Sequence, residues 1–313
     1  MEQYIKSFPV GLFASVMGTG GLSIVYQRYA DIVDLPFVSL ALLALAGVLF
    51  VIVGLIYAYK LFRFRDEVAA EFRDPVGASF FATIPISILV LSIASYDYQR
   101  SISLVLCVVG AALQLLLLLV IASRWITSDF DITHTNPVWF LPAAGQVIVP
   151  IAAIEFAPKD ICWFFFSIGL FFWLVLFIII FYRITFHQRL ADRLVPTLFI
   201  MIAPPALGFI SYVELTGTYD TIARVLLNVS LFLVLLLLSM LPYFLKVRYS
   251  VSWWAYTFPM CTATVASILA YATTGAVEFA WISTALLIIS SLAVLIVFVN
   301  TLAGFRKRTI FSA

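Results

Sequence analysis

Charge is scarce in this 313-residue sequence: Asp, Glu, Lys and Arg together make up 11% of it, while 64% is hydrophobic. A water-soluble domain carries roughly 25% charged residues, so a surface this poor in charge excludes a soluble globular protein. Histidine is limited to His134 and His187, and neither lies in an apolar run. Cys107, Cys162 and Cys261 are far apart, odd in number and set in or beside apolar stretches. They offer neither a metal-ligand spacing nor a disulfide framework, so packing is their expected role and no metal or other cofactor is expected. No buried histidine or carboxylate pair accompanies a serine or cysteine within the apolar runs, which argues against a hydrolase and for a non-enzyme. The net charge is only +2, and no nucleic-acid partner is expected.

What the sequence has in abundance is apolar runs longer than 18 residues, separated by short stretches that hold nearly all the ionisable side chains. Crossing a bilayer takes about 20 apolar residues as a helix. The pattern predicts an all-α integral membrane protein, one transmembrane domain over residues 1–313, with ten spans near 8–27, 36–59, 76–95, 102–123, 137–156, 161–182, 194–213, 222–245, 252–274 and 279–303. The first run contains Gly18, Gly20 and Gly21 and has no small-x-small cleavage site after a compact core, so it reads as a retained helix. With ten spans, 14 of the 18 basic residues fall on the side of the termini and only Arg28, Arg100, Lys159 and Arg224 on the other. Basic loops stay inside, so both termini are expected in the cytoplasm and the chain in the cell inner (plasma) membrane. Most tryptophans lie near span ends, as interfacial anchors should, with Trp173 mid-span.

Proline divides the spans into two classes. Pro85 falls inside span three, Pro142 and Pro150 inside five, Pro204 and Pro205 inside seven and Pro259 inside nine, with Gly145 close to Pro142. Span one has Gly18-Thr19-Gly20-Gly21 as its expected break. A proline within a helix removes a backbone hydrogen bond and frees a carbonyl that lipid cannot satisfy, so such helices face protein or water. Spans four, six and eight instead carry bulky runs such as Leu115–Leu119, Phe164–Phe166 and Leu231–Leu238, suited to lipid. The expectation is five kinked inner helices surrounded by five straight outer ones, built from hairpins. The prolines alone fit packing kinks around a solid core as well as they fit a conduit.

No Lys, Arg, His, Asp or Glu falls in the middle of any span, and Glu155 and Glu214 lie near ends remote from the termini. Proton-coupled pumps and many ion-coupled transporters place an ionisable group at mid-membrane. A passage lined by kink carbonyls, helix ends and small hydroxyls would bind ions weakly, as fast permeation requires. The mixed charges from Lys60 to Asp74 read as a solvated turn that only sets topology.

Several stretches carry a resemblance. Tyr57-Ala58-Tyr59-Lys60-Leu61, Phe80-Phe81-Ala82-Thr83-Ile84-Pro85, Thr133-His134-Thr135-Asn136-Pro137 leading to Phe140-Leu141-Pro142, and Ala203-Pro204 are similar to successive landmarks of bacterial TehA proteins. Trp253-Trp254-Ala255-Tyr256-Thr257-Phe258-Pro259-Met260 resembles the ninth helix of the plant guard-cell slow anion channels. The family is that of the tellurite-resistance/dicarboxylate transporters. The resemblance implies ten helices in five hairpins, a pore made by the odd helices within each subunit, a homotrimer with three separate pores, and a phenylalanine plug at the position of Phe258. The sequence departs from bacterial members in having glycines where they often carry a proline in the first inner helix. It also shows no long terminal extension like those through which plant relatives receive phosphorylation control, so kinase control through a tail is not expected.

Resemblance and uncharged interior together lead to an expected passive channel for small monovalent anions such as chloride and nitrate. It would be gated by Phe258, with Gly18, Gly20, Gly21, Pro85, Pro142, Gly145, Pro204 and Pro259 at its lining or kinks. A secondary transporter or exporter of a dicarboxylate, sulfite or tellurite-related oxyanion is the alternative, and a membrane scaffold is a third. The expected partners are small inorganic anions, the lipid bilayer and two further copies of the chain.

Overall fold

The structure is a computed structural model that describes residues 2–30, 36–308 and 310, and the described residues form helices and connecting turns only. Among them, nine helices are long and apolar enough to cross a membrane: Val10–Arg28, Phe37–Arg63, Gly77–Ser95, Arg100–Thr127, Lys159–Phe186, Asp192–Thr216, Thr221–Ser239, Val251–Thr274 and Val277–Lys307. A shorter apolar segment, Pro137–Ala153, takes the place expected for span five. It contains two 3₁₀ stretches, Pro137–Phe140 and Ala144–Val147, before the α-helix Ile148–Ala153. A 3₁₀ turn rises about 2.0 Å per residue against 1.5 Å in an α-helix, so the segment reaches further than its residue count suggests. Arg308 donates to the hydroxyl of Tyr4 at 2.7 Å, which brings the described chain ends together on one face; we call it the basic face.

The two helix classes are distinct. In spans one, three, seven and nine, 83%, 72%, 94% and 67% of the most apolar window is buried inside the protein; in the even spans the share runs from 17% to 39%. The odd spans touch in sequence, one to three to five to seven to nine and back to one, closing a five-membered ring. Each also packs on the even span that follows it, so the unit of construction is the hairpin. The even spans turn rows of Leu, Ile, Val and Phe outward, among them Leu116, Phe171, Leu235 and Leu295, all more than half exposed. That surface suits lipid.

The inner spans change their winding along their length: each is wound in two parts. The basic-face part is 3₁₀ or a single turn (Val10–Phe13, Gly77–Phe80, Pro137–Phe140 with Ala144–Val147, Asp192–Ile202, Val251–Tyr256), and an α-helix follows. Pro204 and Pro259 stand second in their α-helices, Ala203–Thr216 and Phe258–Thr274, and Pro85 stands third in Thr83–Ser95. Proline is tolerated in a first turn, where its missing N–H has no intrahelical partner to lose. The prolines therefore start the α-helical halves afresh. Pro142 lies in the turn between the two 3₁₀ stretches of span five.

Span one corrects a further expectation, because Gly18-Thr19-Gly20-Gly21 is no break. The α-helix runs unbroken from Ala14 to Arg28, and the change of winding comes earlier, at Phe13. Each glycine costs about 1 kcal/mol of helix propensity against alanine, offset here by close helix approach. A Cβ on Gly18 would collide with the Thr257 hydroxyl, and one on Gly20 would lie 2.7 Å from Val90 Cγ1.

The opened backbone is satisfied from neighbouring spans. Ser87 Oγ donates to Phe13 O at 2.9 Å, and Ser211 Oγ donates to Val147 O at 2.6 Å. Gln114, fully buried on outer span four, donates through Nε2 to Leu141 O at 2.9 Å and Pro142 O at 3.2 Å. Within span five itself, Gln146 Nε2 also donates to Pro142 O at 3.0 Å. Outer span eight begins at a built cap: Asp220 accepts from the N–H groups of Ile222 and Ala223, and the Tyr212 hydroxyl beside it holds its carboxyl below the usual carboxylate range.

Candidate functional site

Four cavities follow one another along the ring. The first opens at the basic face, has a volume of about 410 Å³, and is bordered by Glu71, Asp74, Arg193, Tyr249 and Ser250. It shares Gly11, Phe80, Val251 and Ser252 with a second cavity of about 50 Å³, to which all five inner spans contribute. A third, about 130 Å³, and a fourth, about 290 Å³, continue toward the opposite face and share Arg28, Ile93, Ile151 and Glu214.

Between the second and third cavities the shared residues are Phe258, Ile148 and Leu207. Phe258 is the first residue of its α-helix and is buried. Its ring lies against backbone: a Cβ on Gly21 would be 3.1 Å from Phe258 Cδ2. The 3₁₀ turn before it is anchored on two neighbours, with Trp254 Nε1 donating to Thr301 Oγ1 of span ten at 3.0 Å and Tyr256 edge-on to Phe199 of span seven. Proline at the next position and these anchors together set where the Phe258 backbone enters the axis.

The other residues predicted from sequence divide into two groups. Gly145, Pro204 and Pro259 line the second cavity and Gly21 lines the third. Gly18 and Gly20 are consumed in helix contacts, while Pro85 and Pro142 are buried at the changes of winding. The walls of the middle cavities are not made of kink carbonyls, as expected from sequence. Serine and glutamine side chains of neighbouring spans bond the carbonyls of Phe13, Pro142 and Val147, where the winding changes, and Met17, Ile86, Ile148, Leu207 and Phe258 line the second cavity.

Both ends of the ring carry charges whose pairing the sequence did not reveal. On the basic face, Lys60 is buried and pairs with Glu71 at 2.7 Å, and its Nζ also donates to Phe8 O at 2.9 Å. Glu71 accepts in addition from Val10 N at 2.8 Å and the Tyr57 hydroxyl at 3.0 Å. Lys60 and Glu71 thus depart from the solvated stretch expected between Lys60 and Asp74, whereas Arg63, Arg65, Asp66, Glu67, Arg73 and Asp74 are exposed as expected. The helix Arg65–Arg73 folds back so that Glu71 ties the start of span one to the end of span two. The cue in the sequence is the position of Lys60, placed where a buried amine requires a carboxylate within reach. At the opposite face Arg28 lies 3.8 Å from Glu214, Gln27 Nε2 donates to Asp97 at 2.6 Å, and Arg100 lies 3.6 Å from Glu155. Among the described residues, no group of three or more His, Cys, Asp or Glu could hold a metal ion.

A closed ring of helices that change winding, set around a string of cavities and jacketed by lipid-facing helices, defines a multi-pass membrane protein. The sequence model of the SLAC1 family, described as voltage-dependent anion channels, matches residues 7–302, and the chain belongs to that family. It is similar to an uncharacterized transporter of Methanocaldococcus jannaschii, 27% identical over 299 residues that cover 87% of both chains. The tellurite resistance protein TehA homologue of Haemophilus influenzae is 26% identical over 258 residues, 81% of this chain and 78% of that one. The guard cell S-type anion channel of Arabidopsis thaliana is 26% identical over 323 residues, 98% of this chain and 58% of that one.

Proposed function

We propose that the protein is a passive channel for small monovalent anions such as chloride and nitrate, closed at rest by the ring of Phe258. The observation that carries this reading is the position of that ring: with Ile148 and Leu207 it borders both middle cavities, and the second cavity has no ionisable side chain in its lining. An anion crossing an apolar constriction must keep enough water to stay solvated, and a narrow hydrophobic collar excludes that water. Turning one aromatic side chain away from its preferred rotamer costs on the order of 1 kcal/mol, so a small shift of span nine is enough to open the path. The plant relatives are likewise named as S-type anion channels.

In this reading the chain sits in the cell inner membrane with both ends in the cytoplasm, and three copies assemble into a trimer with a separate pore in each. Selectivity arises from dehydration and the positive rim at the basic face, and is weak between chloride and nitrate. The carrier alternative needs a fixed charge or converging helix ends at mid-membrane to hold a dianion, whereas Arg28 and Glu214 lie toward one mouth. Bilayer recordings of the wild type beside Phe258→Ala, with chloride, nitrate and malate exchanged in turn, test the proposal. Large monovalent-anion currents in the variant are expected; labelled-substrate counterflow without current would establish a carrier instead.

A further inference from the structure

The mouth opposite the basic face is unusual for an anion path, because three carboxylates border it. Asp97, Glu155 and Glu214 all face the fourth cavity, and Glu214 also borders the third. Two of them are engaged by groups at the rim: Asp97 by Gln27 at 2.6 Å, and Glu155 by the Tyr96 hydroxyl at 3.3 Å and by Arg100 at 3.6 Å. Lys159, at the start of span six, donates to Leu215 O at 3.4 Å. On the side of span nine the third cavity is bordered by Cys261, Thr262, Val265 and other uncharged residues.

Arg28 is different. Among the described residues it is the one cation bordering both the third and the fourth cavity, and its side chain is 57% exposed. Its contact with Glu214 is 3.8 Å, beyond hydrogen-bond length, and Glu214 Oε2 is buried without a hydrogen-bond partner. A guanidinium has five donors in a fixed fork, so Arg28 can turn several toward a second anion.

We propose that Arg28 is the anion-binding residue of this mouth, and that Glu214 is its built-in competitor. The proposal rests on the channel reading above and adds where a halide or nitrate ion first binds. An arriving ion displaces the Glu214 carboxylate from Arg28 and is itself displaced when the carboxylate returns. Binding thus stays weak, as conduction requires, since an ion must be able to leave as readily as it enters.

Two measurements on the purified full chain test it. In the Phe258→Ala background, chloride flux into proteoliposomes is followed against chloride concentration. Arg28→Gln is expected to raise the half-saturating concentration about tenfold, Glu214→Gln to lower it several-fold, and Arg28→Lys to fall between wild type and Arg28→Gln. The discriminating result is the double variant: Glu214→Gln should have no effect once Arg28 is Gln. If it still increases flux, Glu214 acts only through its general field and the proposal is overturned. Separately, chlorine NMR line broadening on the detergent-solubilised protein should show a saturable component that Arg28→Gln removes. This second readout needs no conduction, so a silent Phe258→Ala variant would sink the channel reading while leaving the binding site to be judged. Saturable broadening unchanged by Arg28→Gln would remove the site.

Discussion

The inner and outer rings of this protein are both apolar and both helical, yet they resolve the same backbone problem in opposite ways. The outer spans Arg100–Thr127, Lys159–Phe186 and Val277–Lys307 keep every turn α-helical and meet lipid with bulky side chains. The inner spans give up that regularity on their basic-face halves and depend on Ser87, Gln114, Gln146 and Ser211 to close the carbonyls they open. Irregular backbone at membrane depth is tolerated only where protein or water satisfies it. The lesson is that the outer ring can be altered piecemeal, whereas the inner ring is stable only as a mutually capped set.

The sharpest way to break that contrast is at the anchor of the inner ring. Glu71→Ala leaves Lys60 as an unpaired buried cation and removes acceptors from Val10 N and Tyr57. A loss of about 3 kcal/mol is expected, read as a large drop in the melting temperature of the detergent-solubilised protein. A fall no greater than that of a lipid-facing substitution would mean the network is ornamental.

A smaller effect is expected within a single helix. Gln114→Leu on span four should cost about 2 kcal/mol by orphaning the Leu141 carbonyl and leaving Pro142 O with its bond from Gln146 alone, while Leu116→Ala two residues on, 58% exposed to lipid, should change stability little. Comparable melting shifts for the two would erase the distinction between the ring-facing and lipid-facing sides of that helix.

Glycine offers the finest comparison, because the expected sign reverses between the rings. Gly18→Ala drives a methyl group into Thr257 and should destabilise by about 1–2 kcal/mol. Gly54→Ala on span two meets nothing within 4 Å and should stabilise by up to about 1 kcal/mol through helix propensity. Thermal melts of the two variants side by side decide the matter; the same sign for both would contradict the account.

Much of this architecture is legible in the amino-acid sequence. The membrane class, the alternation of inner and outer spans and the family follow from apolar runs, proline placement and the Trp253–Met260 stretch. Other features depend on contacts that no local pattern encodes. Gly18-Thr19-Gly20-Gly21 reads as a break because glycine disfavours helix, and only the proximity of Thr257 and Val90 reveals that it permits close packing. The carbonyl caps come from spans far apart in sequence, 64 residues for Ser211 and Val147, so hydroxyls expected to line the axis turn out to close backbone. Gln114 was visible as the lone amide in a leucine-rich run, and a buried amide there should have signalled a partner with open carbonyls. Likewise, Glu71 recedes among neighbouring charges until the fold brings it against Lys60.

Everything functional turns on whether the Phe258 ring is the barrier between the two middle cavities. Single-channel recording of Phe258→Ala in planar bilayers, beside wild type at equal protein density, measures this directly. The account predicts chloride and nitrate conductance at least tenfold above wild type, with unchanged assembly on size-exclusion chromatography. A folded variant as silent as wild type, or one whose currents are carried equally by cations, would contradict it.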